Sequence, residues 1–261
     1  VVQIQVNDVG TATDRRTEGV RRTLEDAGLM VGQTVGGYGG GLVSADEGER
    51  SATIKYVKRM VNMTGRLGSP NTYLRPGSLN PAGGWLPHPG NRSPEVFDRL
   101  VDSTRQIATV AENEGVKLAV DGGVACPLHS PERTREFLDA VGSRAVGFNM
   151  DPVNYVGGLD DAYDTTALLD RLFDELGSVT IGAHARDFRM ADQRLPRLEE
   201  EVIGRGLMDH AGFLRRMQEV CPSGHVLIEQ LPDDQAAAAR ARLEAAAERA
   251  GVTWQRAKVQ A

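Results

Sequence analysis

The stretch KLAVDGGVACPLHSPER, residues 117–133, reads as the first half of a βα unit. An apolar run stops at Asp121, a Gly-rich loop follows, and Ser130-Pro131 supplies a helix cap with proline in the first turn. On either side the same alternation continues. Strands are expected near 1–6, 29–35, 71–75, 116–121, 145–151, 178–184 and 225–230. Helices are expected near 14–27, 47–67, 93–114, 131–141, 164–176, 209–219 and 233–249, the last of them the Ala-rich run DDQAAAARARLEAAAERAG with its terminal glycine stop. Such alternation predicts an α/β fold with a parallel sheet and helices packed outside it.

At 261 residues the chain has the size of one (β/α)8 TIM barrel, roughly 250 residues, and no linker divides it, so a single domain over 1–261 is expected. Seven βα units are legible where eight close a barrel, and the chain opens directly on the strand-like VVQIQV. The expectation is therefore an N-terminally incomplete barrel whose first βα unit lies upstream of residue 1. Two long Gly/Pro-rich loops, GGYGGGLVSADEGE and RPGSLNPAGGWLPHPGNRSP, follow strands, and in a barrel the loops after strands build the active face.

Asp121 has three counterparts. AVGFNMD ends at Asp151, SVTIGAH at His184 and HVLIE at Glu229, at successive intervals of 30, 33 and 45 residues, about one βα unit each. Neighbouring parallel strands bring their C-terminal ends side by side, so three carboxylates and one imidazole can converge. That donor set suits one divalent metal ion, Mn²⁺ first, with Mg²⁺, Co²⁺ and Zn²⁺ also compatible. Taken singly, an Asp at a strand end is more often a turn or cap residue than a ligand. Glu229 is the least ordinary member, since VLIEQL puts an ionisable group on an apolar strand, where burial without a partner is costly. The conjunction carries the inference.

Composition narrows the function. A net charge of −6 gives no general attraction for phosphate backbones, so nucleic acid is not expected as a partner. Two cysteines without CxxC spacing fit a reducing compartment, and the cytoplasm is the expected location. No apolar run approaches the ~18 residues of a membrane span, so no membrane association is expected. The expected partner is a small molecule, and a homo-oligomer stays open.

In HSPERTREFLDAVGSRAVGFNMDPVNYV, IGAHARDF, EEEVIGRGLMDHAGFLRRM and HVLIEQL the chain resembles the xylose isomerase-like TIM barrel superfamily of sugar isomerases and sugar-phosphate isomerase/epimerase proteins. Endonuclease IV and inosose dehydratases are related to it. The resemblance is strong over residues 117–231 and rests on βα rhythm alone before that. It implies Glu, Asp, His and Glu at four strand ends around one divalent cation. Asp151, His184 and Glu229 match that pattern. Asp121 stands where the family has Glu, one methylene shorter, and Gly123 where a His is common.

The activity implied is a metal-dependent sugar or cyclitol isomerase/epimerase that abstracts a proton beside a carbonyl through an enediolate, with Glu229 and Asp121 as the catalytic pair. One alternative is a metal-dependent lyase or dehydratase acting on an oxidised sugar, cyclitol or 3-oxo-glycoside. Another is a catalytically eroded sugar-binding protein, motivated by Asp121 and Gly123. An endonuclease would need a richer His cluster and a basic face; five His and the net charge of −6 oppose it. Asn154, Arg186, Asp187 and Trp85 are candidate substrate-binding residues. Against them stand a turn residue, a surface ion pair and a partly buried structural Trp. His88 and His129 read as solvated loop histidines.

Overall fold

The computed structural model describes residues 1–7 and 9–255. The strands are β1 (Val2–Val6), β2 (Val31–Gly36), β3 (Asn71–Leu74), β4 (Lys117–Val120), β5 (Val146–Met150), β6 (Thr180–Ala185), β7 (Asp187–Met190), β8 (Leu198–Glu201) and β9 (Val226–Ile228). The α-helices are α1 (Asp14–Asp26), α2 (Glu47–Arg66), α3 (Pro94–Glu114), α4 (Pro131–Val141), α5 (Leu159–Tyr163), α6 (Thr165–Leu176), α7 (His210–Val220) and α8 (Ala236–Ala250). A seven-stranded sheet runs in the order β1-β2-β3-β4-β5-β6-β9, parallel as the βα alternation predicts. Helices surround it, which is the architecture of a TIM barrel. Among the described residues, no helix is long and apolar enough to cross a membrane.

Local chemistry explains the helix ends. Ser93 and Ser130 accept hydrogen bonds from Val96 N and Arg133 N, each with proline at the start of the helix, and Gly115, Gly142 and Gly251 end α3, α4 and α8 in the left-handed conformation. Contacts divide the chain into Val1–Phe148 and a second unit that begins at Asn149.

In the first unit α2 packs on α3 and α3 on α4. Met60, Leu100, Ile107, Leu118 and Phe137 are wholly enclosed there, each contributing about 1.5–3 kcal/mol by burial. The same unit carries an amide ladder: Gln3 Nε2 donates to Gln33 Oε1 (2.6 Å), Gln33 Nε2 to Asn71 Oδ1 (2.9 Å), and Asn71 Nδ2 to the Gly32 carbonyl (3.2 Å). These bonds offset the desolvation of the buried Gln33 and Asn71.

In the second unit α6 packs on α7 and α7 on α8, with the Phe173 and Phe213 rings 6.3 Å apart. Here the sequence reading is corrected, because residues 187–201 form an antiparallel hairpin, β7–β8, that it did not foresee. Arg189 pairs with Glu199 directly opposite and with Glu201 at 3.7 Å. Charge pairs across the hairpin replace the apolar alternation that marks a strand.

Candidate active site

The second unit supplies most of the candidate ligands. Asp151 follows β5, His184 lies in β6 and Glu229 follows β9. Asp151 and His184 are wholly buried, whereas the Glu229 side chain is 28% exposed and thus open to a small molecule. His184 Nδ1 stands 3.1 Å from Glu229 Oε2. Immediately after Glu229, Gln230 has a φ of 59°, a left-handed conformation that a non-glycine residue seldom adopts. Backbone outliers of this kind concentrate at functional sites.

Asp151 is held on one side only. Its Oδ2 accepts from Asn154 Nδ2 (3.2 Å) and from Arg186 Nη1 (3.3 Å), and Arg186 Nη1 also donates to Asn154 Oδ1 (2.7 Å). Arg186 Nη2 pairs with Glu200 on β8, so the unforeseen hairpin contributes a residue that the sequence reading missed. Asp151 Oδ1 is buried and has no hydrogen-bond partner among the described residues. A buried bare carboxylate oxygen is costly, and a cation is what such an oxygen accommodates. Burial raises the Asp151 pKa, opposed by the charges of Arg186 and His184. Burial alone would lower that of Arg186, yet the charges of Asp151 and Glu200 raise it, so the guanidinium stays a fixed cation.

Asp187, expected near a substrate, turns to the backbone instead. Its carboxylate accepts from the N–H groups of Gly204 (2.8 Å), Gly206 (3.0 Å) and Met208 (3.1 Å), and His210 Nε2 lies 3.3 Å away. Burial by itself would raise its pKa; the adjacent His210 ring and the backbone hydrogen bonds bring it below the usual value. Gly206 is required here, because a Cβ at that position would lie 2.3 Å from Asp187 Oδ1.

In the first unit, Asp121 follows β4, is wholly buried and has both oxygens engaged. Oδ2 accepts from Tyr73 Oη (2.6 Å) and Oδ1 from Gly122 N (2.7 Å). The Trp85 indole lies over Tyr73, ring centroids 6.3 Å apart, which places Trp85 in a packed chain leading to Asp121. His88 and His129 are partly buried loop residues that keep part of their surface in solvent. Asp121, like Asp151 and His184 in the second unit, is thus a buried side chain of a type that ligates metal ions.

With the parallel βα sheet and the acidic strand ends in view, comparison with known proteins is informative. The profile of the xylose isomerase-like TIM barrel matches residues 3–252. The chain belongs to this family. No curated protein sequence matches it. Among solved structures, a xylose isomerase domain protein from Planctomyces limnophilus superposes with a TM-score of 0.74 at 21% identity, covering 96% of this chain and 89% of the other. A xylose isomerase-like TIM barrel protein from Mycobacterium smegmatis, in complex with magnesium, gives 0.73 at 16% identity over 94% and 82% of the two chains. A D-tagatose 3-epimerase-like protein gives 0.73 at 16% identity over 95% and 89%. At these identities the likeness establishes the fold.

One further histidine bears on stability. Burial, reinforced by the charge of His184, pushes His225 down from 6.5 to about 4. In the unfolded chain this imidazole takes a proton below its ordinary value, while in the folded chain it resists until about pH 4. Its contribution is therefore complete above pH 6.5, is lost as the pH falls from 6.5 to about 4, and changes no further below that. We expect denaturant unfolding across this window to show a loss of about 3 kcal/mol that His225→Asn does not show. Equal acid sensitivity in both proteins would locate the effect elsewhere.

Proposed function

We propose that this xylose isomerase-like barrel is a divalent-metal-dependent isomerase or epimerase of a carbohydrate or cyclitol, with Asp121, Asp151, His184 and Glu229 as its ligand set. The observation that carries the reading is Asp151, buried, with Oδ2 held by Asn154 and Arg186 and Oδ1 bare, next to the close pair of His184 and Glu229. The oxygen-rich donor set with one imidazole favours Mn²⁺, with Mg²⁺, Co²⁺ and Zn²⁺ as alternatives. Similarly folded proteins, a D-tagatose 3-epimerase-like protein among them, support the same class of chemistry.

When bound, such an ion would polarise the substrate's carbonyl and so acidify the adjacent C–H. Glu229, with its side chain partly open, removes that proton at its carboxylate. Asp121 returns a proton from the other face of the carbon, its Oδ2 steadied by Tyr73. Asn154 and Arg186 hold Asp151 in place and present their remaining donors to substrate hydroxyls. Trp85 offers an apolar wall for the sugar's C–H face, and Asp187 fixes the loop behind Arg186. The reaction belongs in the cytoplasm on this reading.

The test is exchange of solvent deuterium into a ketose, followed by NMR with the Mn²⁺-treated protein after removal of the metal. Deuterium at the carbon beside the carbonyl, with an epimer or aldose formed, is the expected result. Loss of a hydroxyl or an aglycone would instead assign a lyase, and a site that takes up no metal would assign an eroded sugar-binding protein.

Arg186 gives a second check that does not need turnover. We expect Arg186→Met to weaken Mn²⁺ binding by about 10–100-fold, the usual cost of losing a residue that orients a metal ligand, and Arg186→Lys to recover part of it. Calorimetric titration reads this directly. Unchanged affinity in Arg186→Met would mean that Asn154 alone positions Asp151.

A further inference from the structure

Within the first unit, the loop after β3 and the loop after β4 line a half-open cavity of about 250 Å³. His88, Asn91 and Arg92 line it from one loop, and Val124, Ala125 and Cys126 from the other. The cavity is preformed. Asn91 is only 2% exposed, and its Nδ2 donates to Ser78 Oγ (2.9 Å) and the Ala125 carbonyl (2.8 Å), while its Oδ1 accepts from Leu79 N (2.9 Å). One side chain therefore bolts both loops together, its amide donors engaged by Ser78 and Ala125.

The polar groups left on the wall are cationic or donors. His88 Nδ1 accepts from Gly90 N (3.1 Å), which makes Nε2 the protonated nitrogen of the neutral ring. Arg92 is exposed, and its guanidinium makes no hydrogen bond or ion pair among the described residues. No carboxylate lines the space. Farther back, His129 lies within reach of the charges of both Arg92 and Arg133, with Glu132 a weaker opposing influence. Cys126 adds no negative charge, since burial pushes its thiol up to about 12, and it also feels the charge of Asp121. One wall of the cavity belongs to the loop that begins at Asp121, a residue of the proposed catalytic pair, in the same unit of the chain. The Arg92 guanidinium and the His88 Nε2 donor, set among Pro87 and Pro89 on one wall, with Val124, Ala125 and Cys126 on the other, suit an anionic group carried on a carbon body.

We propose that this cavity binds an anionic substituent, a phosphate ester or a carboxylate, of the small-molecule substrate, with Arg92 as its principal contact. The acidic-sugar identity of the substrate rests on the carbohydrate reading above; anion binding itself does not. Inorganic phosphate and acetate are titrated separately into the chelator-treated full chain, with calorimetry for affinity and the C2–H resonances of His88 and His129 as local reporters. Saturable binding of at least one anion is expected, with both resonances moving, and Arg92→Ala should weaken it at least about tenfold, as expected for loss of a charge-assisted contact. Arg92→Lys should retain part of the affinity. Phosphate bound in preference to acetate assigns a phosphate ester, and the reverse a sugar acid. If neither anion moves the His88 resonance, or if Arg92→Ala binds as tightly as the unaltered chain, the proposal is overturned. Anion binding in a protein that shows no deuterium exchange with any ketose or its phosphate would overturn the isomerase reading and leave this site standing.

Discussion

Glu229→Gln is expected to lower turnover by on the order of 10²–10⁴-fold, the usual contribution of a positioned general base, with an unchanged fold. Glu229 follows the short strand β9, and its carboxylate lies 3.1 Å from His184 Nδ1 with 28% of the side chain exposed. An amide of the same shape fills that place but cannot accept a proton or ligate as an anion. The side chain is not enclosed and the glutamine amide oxygen can still face His184 Nδ1, so the melting temperature should stay close to that of the unaltered protein. Deuterium exchange at the substrate carbon is the discriminating readout, since it registers proton abstraction even where net conversion is slow. Exchange at the normal rate in Glu229→Gln would remove this residue from the role of base and leave it at most a ligand.

The second large effect is expected at Asp121. Asp121→Asn should weaken Mn²⁺ affinity on the order of a hundredfold, since an amide is a poor ligand for a hard cation. It should also lower stability by about 1–3 kcal/mol, because Tyr73 Oη and Gly122 N both donate to the present carboxylate and an amide nitrogen cannot accept from either. The family's glutamate is not simply restored by Asp121→Glu. Asp121 is wholly buried beneath Tyr73, and an added methylene there forces repacking at about 1–3 kcal/mol. Tyr73→Phe removes the hydroxyl in the way, so the double substitution should bind metal more tightly than Asp121→Glu alone. Titrating Mn²⁺ into the four proteins decides the matter. Indistinguishable affinities and turnover rates for Asp121→Asn and the unaltered chain would leave a site of Asp151, His184 and Glu229 and exclude a two-carboxylate epimerase mechanism.

The shortened carboxylate and its tyrosine also mark how far the sequence alone could reach. The strand and helix alternation was legible because periodicity and caps are local: Ser93 and Ser130 cap α3 and α4, and Gly251 ends α8, each within a few residues of the group it satisfies. Asp121, Asp151, His184 and Glu229 could be picked out because each interrupts or ends its own apolar run, and a strand's end is a local event. The hairpin β7–β8 was not legible, since Arg189, Glu199 and Glu201 stabilise it by charge across the turn and leave no apolar alternation to read. Partners were not legible either. Glu200 reaches Arg186, His210 and the N–H groups of Gly204, Gly206 and Met208 converge on Asp187, and Tyr73 meets Asp121 across 48 residues of chain. The sequence by itself determined which residues sit at strand ends, because backbone geometry fixes that within a turn or two. Tertiary structure decided which oxygen of each carboxylate is held and which is bare, because a buried polar group takes whatever partner packing brings within hydrogen-bond distance.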